Sequence, residues 1–466
     1  MDDFHVDYIQ EPHLLFKNGG TSLNPCIGLI KYGPRFSGLQ IQDLREFKVG
    51  IIGSSKSIAL TKQLFKSFQN KISPSGEIKP WKIPFPGLDS SSNLGFKFVF
   101  NPEWESVIDM HDFHEIKNAR FSSKKALDII KWKLKIIYEK ETPPDIILIS
   151  IPQQFYEICE CSGTNKPTIK VGVDDFHSRI KLVGMQLKIP TQVIRYETLL
   201  LKGTQERCLV AWNIVVGMLY KCQRGHPWKL THLEENTCYV GISFFKEKGE
   251  ETRRASLAQI FLDTGESFVL RGESFSWINK EYPNSPHLSK NDAYNLITYV
   301  LEHYKSIRKN YPSRIVVHKS SNFWDDELEG FKDATNNVEL RDFITILNSN
   351  LKLFTQTSYP VLRGTFLSLK DESIGFLFTT GFVPSLGTYP GFSIPSALKI
   401  KPFNLDTSLL QVCQEIISLT KLDWNNTFVY SKMPVTISVS RKVGKVMGET
   451  EAQNMEYLDP HYYFYM

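Results

Sequence analysis

The sequence has 466 residues, of which 41% are hydrophobic and 23% are charged, and its formal net charge is +5 at pH 7. This composition is typical of a globular chain with a substantial core, and the length allows about two to four domains. No apolar run approaches the roughly 20 residues that a membrane-spanning helix needs. The mild positive charge permits a nucleic-acid partner without requiring one.

Cysteine usage and the first residues indicate the compartment. The seven cysteines are odd in number and have no CxxC spacing, which argues against a disulfide framework or a zinc site. The opening MDDFHVDYIQEPH is acidic and polar, so it does not read as a signal peptide. We therefore expect a soluble cytoplasmic protein.

The first half of the chain alternates predicted strands and helices. FKVGIIG (47–53) reads as a buried strand, and Ser-capped helical spacing follows it. An amphipathic helix is predicted over 124–140, and after Pro143 and Pro144 the run DIILISIP reads as a second buried strand. A helix over about 174–188, the strand IPTQVIR and a helix over about 205–222 continue the pattern. This alternation predicts an α/β domain with a parallel sheet over roughly residues 40–230.

The pattern changes after Trp228. CYVGISFF, RASLAQIFL and ESFVLRG are three successive strand candidates, and a helix over about 290–309, the strand RIVVHK and a helix from Asp325 follow. This order of elements, in which three strands are followed by a helix, a strand and a second helix, is typical of a ribonuclease-H-like fold. In that fold the fourth strand joins beside the first. Later strands, a helix over 408–420 and a basic segment over 432–445 extend this second domain.

Several local patterns favour a structural interpretation. Gly50 and Gly53 lack the GK[ST] ending of a phosphate loop, so tight strand–helix packing is favoured. Cys159 and Cys161 are too close together for a zinc knuckle. The acids Asp325, Asp326 and Glu327 stand at a helix start, where capping and the helix dipole explain them better than a metal does.

One basic set is more informative as a group than its members are singly. His177 and Lys181 share a helix face, Gln192 lies on the next strand, and Lys221 ends the next long helix before Gly225. Taken alone, a His and a Lys on a helix usually form a solvated face. Together at one edge of an α/β sheet, the four side chains could hold a terminal phosphate through charge-assisted hydrogen bonds.

At these residues the chain resembles a prokaryotic Argonaute. The run FHSRIK–IPTQVI–LYKCQRGHPWKL is similar to the MID-domain pattern, and the opening EPHLLFKNGG…NPCIGLIKYGPRF resembles that of the short Argonautes. The resemblance implies a Rossmann-like MID domain over 1–230 and a ribonuclease-H-like PIWI domain over 231–466. It also implies that His177, Lys181, Gln192 and Lys221 bind the 5′ phosphate of a guide, with Gly217 where long Argonautes have a second lysine.

The same resemblance implies a Mg²⁺ ion in the 5′-end pocket, held by Gln192 and by the carboxylate of Met466. It further implies that the PIWI nuclease site is inactive. The family's first Asp corresponds to Ser243, its second to Lys319 in HKS, and its last ligand to Arg441. Serine cannot replace a bridging carboxylate, and two cations disfavour the two-metal site that phosphodiester cleavage needs.

Short inactive Argonautes act with an effector that carries an APAZ domain. The resemblance therefore implies a guide RNA, a single-stranded DNA target and an effector that is a sirtuin-like or TIR NADase, less often a nuclease, in prokaryotic defence. Two alternatives stay open. One is a guide-directed nuclease, acting through an associated nuclease effector or through displaced acids such as Asp263, Asp325 and Asp326. The other is a nucleic-acid-binding protein without a guide.

Overall fold

The structure is a computed structural model. It describes residues 4–36, 44–75, 79–150, 155, 176–203, 205–246, 253–262, 267–277, 285–354, 356, 360–369, 373–391, 393–449, 455 and 458–466. Asp263, Cys159 and Cys161, which were considered above as possible metal ligands, lie outside these residues. The cysteines that are described (Cys26, Cys208, Cys222, Cys238 and Cys413) are buried and free.

Four parallel strands form the smaller of the two main sheets. In spatial order they are β5 (Phe96–Val107), β4 (Arg45–Gly53), β6 (Ile146–Ser150) and β7 (Thr191–Val193). All five residues of β6 are buried, because both faces of a parallel sheet are covered by helices. The predicted parallel α/β domain is confirmed.

Helices cover both faces of this sheet. One face packs against α2 (Ser55–Ser67) and α7 (Arg207–Gln223), and the other against α3 (Met110–Asn118), α4 (Ser122–Tyr138) and α5 (Phe176–Gln186). Side chains alternate between the two faces of the sheet along β4. Ile51 therefore packs in the core on the α2 side, and Ile52 packs in the core on the α4 side. A short helix, α6 (Tyr196–Leu200), lies beside α2.

The larger sheet has nine strands, in the order β1–β14–β15–β16–β13–β12–β9–β10–β11. These are β1 (Phe4–Tyr8), β14 (Thr365–Leu369), β15 (Gly375–Leu377), β16 (Leu398–Leu405), β13 (Leu340–Asn348), β12 (Arg314–Lys319), β9 (Thr237–Lys246), β10 (Arg253–Leu262) and β11 (Ser267–Ser276). Strands β9, β10 and β11 form an antiparallel meander, and β12 joins parallel to β9. The predicted ribonuclease-H-like order is confirmed.

Helices also cover the larger sheet. On one face lie α8 (Lys290–Arg308) and α9 (Asp325–Ala334), packed together on the core that contains Ile242 and Val317. On the other face α11 (Val435–Met447) crosses β9, and α10 (Leu409–Leu419) covers the part of the sheet around β16. No helix in these described ranges is long and apolar enough to cross a membrane.

The N-terminal segment of the chain packs against both main parts of the protein. Strand β1 pairs with β14 in the larger sheet, so residues 4–8 pack with the second domain rather than with the first. A small third sheet joins β2 (Leu14–Leu15), β3 (Thr21–Ser22) and β8 (Lys229–Leu230), next to α1 (Pro25–Tyr32). One continuous core includes Trp212, Tyr239 and Trp424, so the two halves are packed against each other through buried aromatic surface.

Candidate functional site

The four predicted phosphate-binding residues lie on three neighbouring elements. His177 and Lys181 are one turn apart on α5, Gln192 is the middle residue of β7, and Lys221 lies in the last turn of α7. Because β7 follows α5 and lies at the sheet edge, the ends of these elements meet at one place. The last two residues, Tyr465 and Met466, reach the same place.

Lys221 is the centre of this cluster. Its side chain is only 1% exposed. Its Nζ donates to the main-chain oxygen of Thr191 at 3.0 Å, to Gln192 Oε1 at 2.7 Å and to the main-chain oxygen of Met466 at 3.0 Å. An ammonium group has three N–H donors, so these three oxygens use all of them.

Burial lowers the pKa of Lys221 well below the usual lysine value, and the nearby charge of Lys181 lowers it further. The three acceptors of its Nζ, which are oxygens of Thr191, Gln192 and Met466, compensate only part of the hydration that the ammonium group loses on burial. A negatively charged ligand would act in the opposite direction. The pocket is therefore suited to an anion.

Lys181 forms the outer part of the cluster. Its side chain is partly exposed, and its Nζ donates to the main-chain oxygen of Tyr465 at 3.0 Å. His177, also partly exposed, precedes it by one helical turn on the same face. A ligand that enters from solvent meets these two side chains before it meets Lys221.

The final segment of the chain is held in the pocket by contacts with both halves of the protein. Val269 of β11 donates from its main-chain nitrogen to the Pro460 oxygen at 2.7 Å. Tyr465 is fully buried, and its hydroxyl donates to the Asp459 oxygen at 2.8 Å. These contacts fix the direction in which the Tyr465 and Met466 carbonyl groups point.

Some of the pocket could not have been found from side-chain patterns. The oxygens of Thr191 and Tyr465 are main-chain atoms, so no residue type marks them. Arg224 ends α7 in a left-handed conformation, and its guanidinium lies 5.9 Å from the Tyr463 ring. At Gly217 an added Cβ would meet only Asn425 Oδ1 at 3.5 Å, so the missing second lysine is not explained by a close backbone contact there.

The second candidate region is the nuclease-like centre on β9. Gly241, Ser243 and Phe245 face α11, because Ile242 and Phe244 pack in the core beneath α8 and α9. A Cβ at Gly241 would lie 1.9 Å from the Thr436 oxygen of α11, so only glycine allows this close approach. Ser243 is 5% exposed, and in the described residues its Oγ has no hydrogen-bond partner.

The strand register corrects the predicted position of Lys319. Lys319 is in register with Ile242, so its side chain points to the face opposite Ser243. There its Nζ donates to the carboxylate of Glu327 on α9 and to the Asn322 oxygen at 3.0 Å. The expectation that Lys319 adds positive charge beside Ser243 is wrong.

Arg441 is also not directed at Ser243. Thr436 and Gly444 are the α11 residues in close contact with β9, whereas Arg441 is exposed on the outer side of the helix. From β12 the side chain on the Ser243 face is His318, whose Nδ1 lies 2.9 Å from Thr436 Oγ1. Burial, and secondarily the charge of Arg314, lower the pKa of His318 to about 3.

Five carboxylates of the described part of this domain have structural roles. Asp342 and Glu415 are buried at the opposite end of β12, where they pair with Arg314. Asp325 and Asp326 are exposed in the first turn of α9, as expected for helix-dipole partners. Glu327 also caps this helix, since its carboxylate accepts from the Trp324 main-chain nitrogen at 3.4 Å, and unlike the other two acids it is buried and paired with Lys319.

One other acidic cluster lies in the first domain. Asp109, His111 and Asp112 have side-chain ligand atoms within 4.8 Å of one another. Asp109 and Asp112 form a capping box at the start of α3, and Asp112 also pairs with Lys133 at 2.8 Å. Helix capping accounts for this cluster.

A Rossmann-like domain and a ribonuclease-H-like domain, joined over a buried basic pocket, define the class of fold. The sequence matches no protein-family model and no curated protein. Solved structures with this fold are Argonaute proteins, in which the corresponding parts are the MID and PIWI domains. At these low sequence identities the likeness is one of fold.

The Argonaute of Clostridium butyricum, solved with a guide DNA and a 19-mer target DNA, matches 96% of this chain with a TM-score of 0.66 and 15% identity. The A. aeolicus Argonaute matches 97% with a TM-score of 0.56 and 17% identity, and Drosophila Piwi matches 98% with a TM-score of 0.59 and 14% identity. The chain spans 53%, 54% and 56% of these three proteins, respectively, so it corresponds to little more than half of each.

Proposed function

We propose that the protein recognises nucleic acid through a guide strand whose 5′ phosphate binds at His177, Lys181, Gln192 and Lys221. The observation that carries this proposal is the convergence of Lys181 and Lys221 on the last two residues of the chain, with Gln192 between them. Two lysines that converge on one place beside a side-chain amide favour a dianionic ligand, because each can donate a charge-assisted hydrogen bond to a phosphate oxygen.

The two lysines would have different roles. Lys181 is partly exposed and would contact the phosphate directly. Lys221 is buried with three acceptors, so it would orient Gln192 and the final segment, or exchange one acceptor for a phosphate oxygen. His177 would add a further donor on the Lys181 side.

A Mg²⁺ ion is a further element of the proposal. Mg²⁺ prefers oxygen ligands, and Gln192 Oε1 and the Met466 main-chain oxygen both lie within hydrogen-bond distance of Lys221 Nζ. A divalent cation beside two lysines is favourable only if the phosphate supplies compensating negative charge. Gln192 and Met466 would hold the ion, and it would supply positive charge to the phosphate without any chemical step.

We propose further that the guide is RNA and that the guide pairs with single-stranded target DNA. The Clostridium butyricum protein that shares this fold was solved with both a guide and a target strand. The PIWI-like domain would hold the paired strands without cutting them, because the described face around Ser243 carries serine, histidine and glycine where metal-binding acids would be required.

The enzymatic output is proposed to come from a partner, an effector with an APAZ domain and NADase activity of the sirtuin-like or TIR type. Guide and target together would activate it, and NAD depletion would serve prokaryotic defence. Support comes from the resemblance of the opening EPHLLFKNGG…NPCIGLIKYGPRF to that of the short Argonautes. Co-expression with the neighbouring gene should give a 1:1 complex that consumes NAD only with guide and complementary target.

The most direct solution test compares 5′-phosphorylated with 5′-hydroxyl guides. Wild-type protein should prefer the phosphorylated guide, and Lys181→Gln should lose most of that preference, with a decrease of about 10- to 100-fold in affinity for that guide alone. Lys202→Gln, an exposed lysine after α6, is the matched control. Equal affinity for both guides in the wild type would favour a nucleic-acid-binding protein without a guide pocket.

A further inference from the structure

The outer face of α4 combines positive charge with exposed aromatic rings. Between residues 120 and 140 there are seven lysine and arginine residues and two acidic ones, so this segment has a net charge of +5, equal to that of the whole chain. The inner face of α4, with Ile130 and Leu134, is fully buried. The helix is therefore fixed in the domain, and only its outer face is available.

The exposed residues follow the helical repeat. Lys124, Lys131 and Lys135 are exposed, and Trp132 between the last two is 59% exposed. Phe121, at the start of the helix, is 62% exposed. We call these five residues the α4 face. From Lys124 to Lys135 it is about 16 Å long at ~1.5 Å per residue.

Some of the positive charge of the helix is used internally. Lys125 pairs with Glu115 and Lys133 with Asp112, both across to α3, while Lys135 lies 3.5 Å from Glu139 with both side chains largely exposed. Lys124 and Lys131 form no ion pair with any residue that the structure describes. Asp128 is the one acidic residue exposed between them. The α4 face thus retains a net positive charge directed at solvent.

The α4 face lies close to the proposed phosphate pocket but is separate from it. Ser123 of α4 accepts a hydrogen bond from Arg179 of α5 at 2.5 Å, and α5 carries His177 and Lys181. The α4 face belongs to the side of the small sheet that is opposite α7 and the larger sheet. A strand bound there would lie outside the space between the two sheets.

We propose that the α4 face is a second binding site for single-stranded nucleic acid, independent of sequence and of the 5′ phosphate. Lysines spaced along one face attract the phosphate backbone, and the exposed rings of Trp132 and Phe121 provide stacking surfaces for unpaired bases. A membrane surface is less suitable, because an interfacial helix inserts an apolar face and the apolar face of α4 is committed to the core.

The test uses full-length protein and a 5′-hydroxyl single-stranded oligonucleotide at several salt concentrations. Replacing Lys124, Lys131 and Lys135 together by Gln should weaken binding and decrease the salt slope by about 2, since each phosphate contact contributes about 0.7 for single strands. Trp132→Ala should weaken binding about fivefold or more at every salt concentration, with the slope unchanged.

The control removes the same charge elsewhere. Replacing the exposed Lys56, Lys66 and Lys332 together by Gln should leave both affinity and salt slope near wild type. If the α4 triple variant and this control behave alike, the proposal is wrong. Equal thermal melting of all variants excludes unfolding as the cause, because every substituted side chain is exposed.

Two further measurements distinguish a failure of the α4 proposal from a failure of the phosphate-pocket proposal, and nucleic-acid binding from membrane binding. The ratio of affinities for phosphorylated and hydroxyl guides should not change in the α4 variants, whereas it should change in Lys181→Gln, so the two sites can fail independently. Vesicles with phosphatidylserine are the second probe. If Trp132→Ala abolishes vesicle binding and leaves oligonucleotide binding unchanged, the α4 face binds membrane and the proposal is overturned.

Discussion

Lys221 Nζ donates a hydrogen bond of 3.0 Å to the main-chain oxygen of Met466, a residue 245 positions further along the chain. The contact joins the last turn of α7 to the final segment and brings Gln192 into the same cluster. A lysine buried to this degree is costly unless an anion compensates its charge. The predictions below follow from this pocket and from the arrangement around Ser243.

Binding of a phosphorylated guide should take up protons. Burial lowers the pKa of Lys221 in the free protein, and a bound phosphate should raise it again, so above the lowered pKa the complex holds more protons. Calorimetry should be carried out at a pH well above the second phosphate pKa of about 6, so that the phosphate itself does not change its protonation. The binding enthalpy should then depend on the ionisation enthalpy of the buffer. A 5′-hydroxyl guide, or Lys221→Met, should show no such dependence. Buffer-independent enthalpy for the phosphorylated guide would contradict the assignment of Lys221.

The buried ion pair of Lys319 and Glu327 should be sensitive to loss of one partner. Lys319→Met leaves an uncompensated buried carboxylate and should lower the free energy of unfolding by about 3–5 kcal/mol. Adding Glu327→Leu should recover much of the loss, because both charges are then removed. Urea unfolding of the single and double variants measures this. Lys290→Met, which breaks exposed pairs with Glu329 and Asp333, is the control and should change stability by about 1 kcal/mol or less. Additive losses at Lys319 and Glu327 would argue against the pair.

The pair of Lys319 and Glu327 also shows which structural features could not be predicted from the sequence. Local patterning was sufficient to predict a parallel α/β domain, and a three-stranded meander whose fourth strand joins beside the first. Lys319 was assigned to the wrong face because a shift of one residue along a strand reverses the side chain, and the register with Ile242 depends on tertiary pairing. The capping role of Glu327 was predicted, but its burial and its pairing with Lys319 were not, because they depend on β12, which is distant in the local pattern. The oxygens of Thr191 and Tyr465 have no sequence signature at all.

His318 should make the protein less stable in acid. Its pKa is about 3 in the folded protein, against an ordinary value of 6.5. Between these values the unfolded chain binds a proton that the folded protein does not, so stability falls as pH decreases through this window. The slope is about 1.4 kcal/mol per pH unit for one group. His318→Gln should reduce the measured slope by that amount, while His226, also buried with a pKa of about 3, keeps its own contribution. The exposed His13→Gln serves as control, and an unchanged slope in His318→Gln would refute the assignment.

The isolated chain should cleave neither guide nor target. Cleavage on this fold requires two metal ions held by several carboxylates, and Ser243 and His318 stand on the face where these would be needed. Ser243→Asp alone should stay inactive in Mg²⁺ or Mn²⁺, because His318 and Gly241 supply no further acid. Gel analysis of a fully paired target would detect product. Cleavage by the wild type would revive the alternative of displaced acids; the exposed Asp325 and Asp326 would be tested first by substitution with Asn.

The central claim is that a 5′ phosphate binds between α5, β7 and the final segment. An experimentally determined structure of the protein with a 5′-phosphorylated oligonucleotide tests it most directly. We predict the phosphate within hydrogen-bond distance of Lys181 Nζ and of the Gln192 side chain, with Lys221 and Met466 at its inner side. A phosphate bound elsewhere, with the contacts of Lys221 to Gln192 and Met466 unchanged and the oligonucleotide remote from α5, would contradict the proposal.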